Sequence, residues 1–173
     1  MTEEDSTNKI GKVFIWIAWL FGIALLVFVF QDLLDGQYNP NQSPDIYLNE
    51  QGRAEVHLLQ NRQGHYVVNG TINGSKVTFL LDTGATQVSI PAHIADELRL
   101  SRGQSGIAQT ANGSVRVFQT TLEQLSIGNI FMDNVAASIN PGMRSNEILL
   151  GMSALRRVEF SQTGKQLILR ERN

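Results

Sequence analysis

The run Phe79-Leu80-Leu81-Asp82-Thr83-Gly84-Ala85-Thr86-Gln87-Val88-Ser89-Ile90 sets an acid, a hydroxyl and a glycine between two apolar stretches that each read as a buried strand. A carboxylate is costly to hold there. Desolvation opposes its ionisation, so the fold must supply donors, a neighbour that shares its proton, or both. Thr83 offers a hydroxyl, and Gly84 offers a backbone that turns tightly, which lets two such loops approach one another. Alone, Asp-Thr-Gly also makes an ordinary turn. The apolar stretches on either side put the acid at the end of an interior strand rather than on a solvated loop.

Around this loop the chain shows strand upon strand. Residues 54–59 alternate in part, 61–64 form a turn, and 65–72 lead to the hairpin signal Asn73-Gly74, after which 76–81 run up to the acid. Further strands are expected over 105–109, 114–120, 121–127, 130–137 and 166–170, with turns at Asn112-Gly113, Gly128-Asn129 and Thr163-Gly164. Only two short helices are expected here. One covers 91–98, with Pro91 in its first turn and Ile94 and Leu98 on one face, and the other covers 153–157 after Gly151. Many short strands with frequent turns indicate an all-β domain, a small closed or nearly closed β-barrel.

The amino-terminal part is different. Residues 1–9 are polar and read as a short tail, and 13–30 then run for eighteen residues without a charge. Extended back to Ile10 the stretch reaches 21 residues, enough at about 1.5 Å per residue to cross a hydrocarbon core of about 30 Å. The expectation is a transmembrane helix over 10–30 that contacts the lipid bilayer. A secretory signal peptide is the rival, but the run is long for a signal core and is followed by Gln31-Asp32-Leu33-Leu34-Asp35 rather than a small-x-small cleavage site. Lys9 and Lys12 precede the span and the next base is Arg53, so the positive-inside rule puts the amino terminus in the cytoplasm and the rest outside. Residues 31–50, with Gly36, Asn39-Pro40-Asn41 and Ser43-Pro44, read as a flexible tether to a folded domain over 51–173.

Charge and composition narrow the functions. The formal charge of -2 divides unequally: residues 1–49 hold six acids and two lysines, and the remainder holds ten acids and twelve bases. A folded part so weakly charged gives no reason to expect nucleic acid, whose binders gather basic residues on one face. Cysteine is absent, which removes disulfides, a thiol nucleophile and cysteine metal sites. His57, His65 and His93 have no HExxH spacing and no Gly-x-Ser-x-Gly accompanies them, so no metal or cofactor is expected. Arg156-Arg157 reads as a solvated pair.

From about Gly64 to Leu169 the chain resembles the retropepsin-like aspartic proteases, in particular their small membrane-anchored bacterial members. Three stretches in order carry the likeness: Leu80-Leu81-Asp82-Thr83-Gly84-Ala85, Thr110-Ala111-Asn112-Gly113-Ser114-Val115 and Ile148-Leu149-Leu150-Gly151-Met152-Ser153-Ala154-Leu155. The resemblance implies a closed barrel of the acid-protease type, with Asp82 as the catalytic carboxylate and Thr83 and Gly84 completing its loop. It implies that 110–115 is a flap over an extended peptide substrate, and that Leu149-Leu150-Gly151 packs beneath the catalytic loop. Thr86 departs from the acid that viral members carry there, and no aromatic residue stands at the flap tip.

Peptide hydrolysis by water needs a base for the water and an acid for the carbonyl oxygen or departing amine. Two carboxylates that share one proton can do both. The chain has one Asp-Thr-Gly, and Asp96, Glu97, Glu123, Asp133, Glu147 and Glu159 all stand in other settings. The second carboxylate is therefore expected from Asp82 of another copy, in a two-fold homodimer. The expected function is an aspartic endopeptidase, single-pass in the inner (cytoplasmic) membrane, with its protease domain periplasmic or otherwise extracytoplasmic. The rival is a catalytically silent barrel kept for dimerisation or peptide binding. A carboxylate-dependent phosphatase would need an acid at position 84, which is glycine.

Overall fold

A continuous apolar stretch without proline has nothing to break an α-helix, and α1 (Glu3–Tyr38) runs for 36 residues. A computed structural model describes residues 3–48, 52–110 and 113–172, with the side chains of 3–10, 32 and 33 outside that description. The chain divides into two units, Met1–Gln37 and Tyr38–Asn173. The first is helical, and its described side chains over 11–31 are exposed all round, Trp16, Trp19, Phe21 and Phe28 among them. Gly11–Tyr38 is long and apolar enough to cross a membrane, a property that anchors and signal sequences share.

The second unit follows the alternation and turn signals of its sequence. Its elements are β1 (Asp45–Leu48), β2 (Ala54–Leu59), β3 (Val67–Ile72), β4 (Ser75–Leu81), β5 (Val88–Pro91), α2 (Ala92–Glu97), β6 (Ser105–Thr110), β7 (Gly113–Ile127), β8 (Ile130–Asn140), β9 (Ile148–Leu150), α3 (Met152–Leu155), β10 (Val158–Thr163) and β11 (Gln166–Glu171). They form two sheets. One has the order β1-β2-β11-β10, the other β3-β4-β9-β5-β8-β7-β6. Within the second sheet β3 also pairs with β7 through Thr71↔Ser126 and Ile72↔Leu125, which joins six of the strands in a ring. The architecture is mostly β, and the contact of β3 with β7 rests on those two residue pairs. Gly70 allows them, since a Cβ there would lie 2.2 Å from Ser126 O and 2.8 Å from the Phe79 ring. Val56, Leu58, Ile72, Phe79, Leu122, Ile139 and Leu150 meet in the interior, all of them essentially without exposure.

Several expectations are corrected. The strands expected over 114–120 and 121–127 are one, β7, because Thr120-Thr121 is β-branched and contains no breaker. At Phe118 it pairs on one side with Ser105 of β6 and on the other with Ile139 of β8. Residues 158–163 form the unforeseen strand β10, whose apolar alternation stops after Val158-Glu159-Phe160; it is exposed beyond Val158 and is held by hairpin pairing with β11. The second short helix starts at Met152 and ends at Leu155. Arg156 and Arg157 are exposed, in keeping with a solvated pair, and the Arg157 guanidinium also donates to the carbonyls of Asp133 and, at 2.8 Å, Asn134, at the bend where Asn134 has φ 52.

The tether expected over 31–50 is corrected most. Helix α1 extends to Tyr38, and the chain then docks at once. Asn41 is buried, and its side chain donates to Leu59 O (2.9 Å) and Val67 O (2.7 Å) and accepts from Leu59 N–H (2.6 Å). Asn69 N–H donates to Asn41 O at 3.2 Å, and Asn39 joins the set by donating to Asn69 Oδ1 at 2.9 Å. Asn61 Nδ2 reaches back to Tyr38 O at 3.0 Å. Each such bond is worth about 1 kcal/mol net, and removing a partner costs more because it strands a buried backbone group. The Asn-Pro-Asn triplet that reads as a chain breaker thus supplies amides for backbone groups between β2 and β3. Of the expected tether, 49–51 lie outside the described residues.

Candidate active site

Asp82 follows β4 directly, and the two apolar stretches around it are β4 and β5. Between them lies β9, parallel to β4 through Phe79↔Ile148, Leu80↔Leu149 and Leu81↔Leu150, and touching β5 at Ser89↔Leu149. This insertion grips the loop at both ends. Asp82 N–H donates to Leu150 O at 3.2 Å, and Met152 N–H donates to Ala85 O at 2.8 Å. Ser153 Oγ accepts from Val88 N–H at 2.9 Å and donates to Ala136 O at 2.7 Å, which ties the end of the loop to β8. Gly151 lies where these backbones converge. A Cβ on it would stand 2.2 Å from Gln87 O and 2.7 Å from Ala85 O.

Within the loop, Gly84 N–H donates to Asp82 Oδ1 at 2.9 Å, and Ala85 N–H to Asp82 O at 3.2 Å. The carboxylate is thereby oriented, with Oδ2 left without a partner among the described residues. Thr83 and Gly84 are exposed, Asp82 is half-buried, and the Thr83 hydroxyl has no bond to any described residue. The three expected site residues are together, and one edge of the loop they form faces outward.

Asp82 and Gly84 border a cavity of about 960 Å³. Its other boundaries include Gln87 and Ser89 beyond the loop, Ser138 and Asn140 from β8, Met143 and Leu149. Ile107, Val115 and Val117 reach it from the β6–β7 hairpin, the expected flap, in which Thr110 pairs with Gly113. Ala111 and Asn112, at the expected flap tip, lie outside the described residues. Ile107 is 76% exposed, an aliphatic side chain on the cavity's rim with little to cover it. Among the described residues, Asp82 is the one ionisable side chain that lines this space.

Sequence reading missed Ser89, Ser138, Asn140 and Met143. Ser138 and Asn140 lie past residue 137, where the strand was expected to end, and the structure carries β8 to Asn140. Ser89 had a readable signal, as a polar residue between buried Val88 and Ile90, which alternation turns toward the cavity side. Its hydroxyl donates to Met143 Sδ at 3.2 Å.

Comparison with known proteins adds an independent finding. Residues 68–157, 90 of the 173, match the model of a family described as "gag-polyprotein putative aspartyl protease". The crystal structure of a retropepsin-like aspartic protease from Rickettsia conorii is similar, with a TM-score of 0.56 and 29% identity over 66% of this chain and 98% of that one. An uncharacterised protein from the cobV 5' region of a Sinorhizobium species is 29% identical over 171 residues, 91% of this chain and 73% of the relative. An uncharacterised protein of Rickettsia prowazekii is 28% identical over 120 residues, 67% of this chain, and the match spans about half (51%) of its length.

Proposed function

Since this chain belongs to the aspartyl protease family and has a retropepsin-like fold, we propose that it is an aspartic endopeptidase whose site takes Asp82 from each of two identical subunits. The observation that carries the reading is the catalytic loop itself. An oriented carboxylate with one oxygen uncommitted borders a cavity that no other ionisable side chain lines among the described residues, and the exposed threonine beside it has no bond to any of them.

In the proposed pair the two loops meet on a two-fold axis, and each Thr83 hydroxyl bonds to the loop opposite. The two carboxylates share one proton, because like charges so close do not both ionise. One takes a proton from water as it attacks the peptide carbonyl. The other protonates the carbonyl oxygen, and the amine leaves once a proton is returned to its nitrogen. The β6–β7 hairpin closes over an extended peptide and excludes bulk water.

Mixing tests the two-chain site. Wild-type chains combined with an equal amount of Asp82→Asn chains, under conditions where subunits exchange, should retain about a quarter of the activity of the same total of wild type, since only pairs with two acids work. A site complete in one chain would retain about half, and that value would refute the paired site.

The anchor reading rests on α1 and on Lys9 and Lys12 before its apolar part. We infer a single-pass inner-membrane protein with a cytoplasmic amino terminus and the folded unit outside. Protease added to spheroplasts should digest residues beyond 38. Their survival until lysis would reverse the orientation, and their release as a free fragment in untreated cells would identify the helix as a cleaved signal.

A further inference from the structure

A second hollow, of about 540 Å³, adjoins the first. Gln87, at the end of the catalytic loop, and Gln119 of β7 line both, so the two spaces share a boundary. The chemistry changes across it. The inner cavity has Asp82 as its one ionisable side chain among the described residues, whereas Arg99, Arg102 and Glu123 line the outer hollow.

The outer wall is firmly built. Gly103 N–H donates to Gln119 O at 2.8 Å and Gln119 N–H to Gln104 O at 2.9 Å, which staples 103–104 to β7. Arg102 donates to both oxygens of Asp96 at 2.8 and 3.0 Å, and its guanidinium lies 5.7 Å from the centre of the Phe118 ring. Its charge is largely answered by Asp96. Arg99 differs, since its side chain has no partner among the described residues. It also sits at φ 55, just past the end of α2, with its N–H donating to Asp96 O at 3.1 Å. Glycine or asparagine suits that left-handed position, and a long side chain there is held against the backbone's preference.

We propose that this hollow is an outer subsite that selects substrates with an acidic side chain beyond the residues flanking the scissile bond, with Arg99 as the group that receives it. The inference rests on the protease reading above. A peptide lying past Asp82 and leaving the cavity by Gln87 and Gln119 brings an outer side chain against Arg99, whose planar fork matches a carboxylate. Arg102 adds to the local positive field. Glu123, on the far strand, opposes an acid, so its neutralisation should help.

The test profiles peptide-library cleavage by the full-length chain in detergent micelles, together with Arg99→Glu, Arg99→Gly, Glu123→Gln and Asp82→Asn. Wild type should enrich Asp and Glu at one outer position by about two- to five-fold, the range of an exposed ion pair, and high salt should weaken this. Arg99→Glu should turn the preference toward Lys and Arg, and Glu123→Gln should keep or sharpen the acidic one. Arg99→Gly should abolish it while raising the unfolding temperature, a combination that a merely structural arginine would not produce. Preferences beside the scissile bond should not move. Binding to the Asp82→Asn chain reads the subsite without turnover: a fluorescent alanine-valine peptide ending in Glu-Glu should bind more tightly than its Lys-Lys counterpart, and Arg99→Glu added to that chain should reverse the order. Equal binding of the two peptides, or a cleavage profile untouched by Arg99→Glu, would overturn the subsite. Wild-type rates from Asp82→Asn would instead overturn the protease reading.

Discussion

Asparagine in place of Asp82 should leave a chain that folds and associates as before and cleaves no peptide, a fall of at least about 10³-fold when a positioned acid–base group is lost. The two parts of this outcome have separate causes. Folding survives because the bonds that hold the loop are made by backbone: Asp82 N–H to Leu150 O, Ala85 N–H to Asp82 O and Met152 N–H to Ala85 O. The asparagine carbonyl can still accept from Gly84 N–H, as Asp82 Oδ1 does at 2.9 Å. Activity is lost because an amide neither takes a proton from water nor returns one to the leaving amine. Paired unfolding curves and single-turnover cleavage separate the two. Unfolding midpoints that agree, with cleavage gone, support Asp82 as the acid–base group. Cleavage at an undiminished rate would remove it from the mechanism, and a collapsed midpoint would assign it to folding.

Gly151→Ala should damage stability and activity together. At φ -87 and ψ -175 the backbone of Gly151 suits alanine, so no conformational penalty arises from the torsions. The difficulty is contact. The new methyl would stand 2.2 Å from Gln87 O, 2.6 Å from Gln87 C and 2.7 Å from Ala85 O, all of them backbone atoms that no side-chain rotation can withdraw. Gly151 is buried, so the strain has no outlet to solvent. Either the loop carrying Asp82 moves outward or the start of α3 does, and overpacking of this kind costs about 1–3 kcal/mol. A displacement of about 1 Å at a catalytic group lowers turnover about 10²-fold. The expected result is a clear loss of unfolding free energy with a larger proportional loss of kcat/KM. Full activity in a chain destabilised by that amount would mean that the movement is taken up by α3 and that β9 does not position the loop.

Some of this molecule is legible without coordinates because the relevant physics is local. An apolar run of eighteen residues without charge or proline favours a long helix from its own composition, and α1 spans it. Apolar runs ending in Asn73-Gly74 and Gly128-Asn129 make hairpins, and β3–β4 and β7–β8 turn at those places. The loop Asp82-Thr83-Gly84 is readable from its apolar flanks, whereas a supporting place for Ile148-Leu149-Leu150-Gly151 comes only from the family resemblance. The strand limits were less so. Hydrophobic period reports which face is buried and nothing about how far pairing extends, so it indicates neither the reach of β8 to Ser138 and Asn140 nor the mostly exposed β10.

What tertiary structure alone decided are the meetings between residues far apart in the chain. The sequence by itself determined that an acid would end an interior strand. Only the fold slides β9 between β4 and β5, and so makes the missing side chain of Gly151 a condition for the loop 64 to 69 positions earlier, at 82–87. Asn39-Pro40-Asn41 carries the local signature of a linker, and local signatures describe a segment's own backbone, not the unpaired groups elsewhere that its amides will satisfy. Leu59 and Val67 supply those groups only after β2 and β3 have separated into different sheets. Arg99 and Glu123 belong to a segment after α2 and to β7, and their common hollow exists because residues 103 and 104 bond to Gln119. Hydrogen bonding and close contact act over about 3 Å in space whatever the separation in sequence, so such pairings are set by register and chain crossing rather than by local pattern.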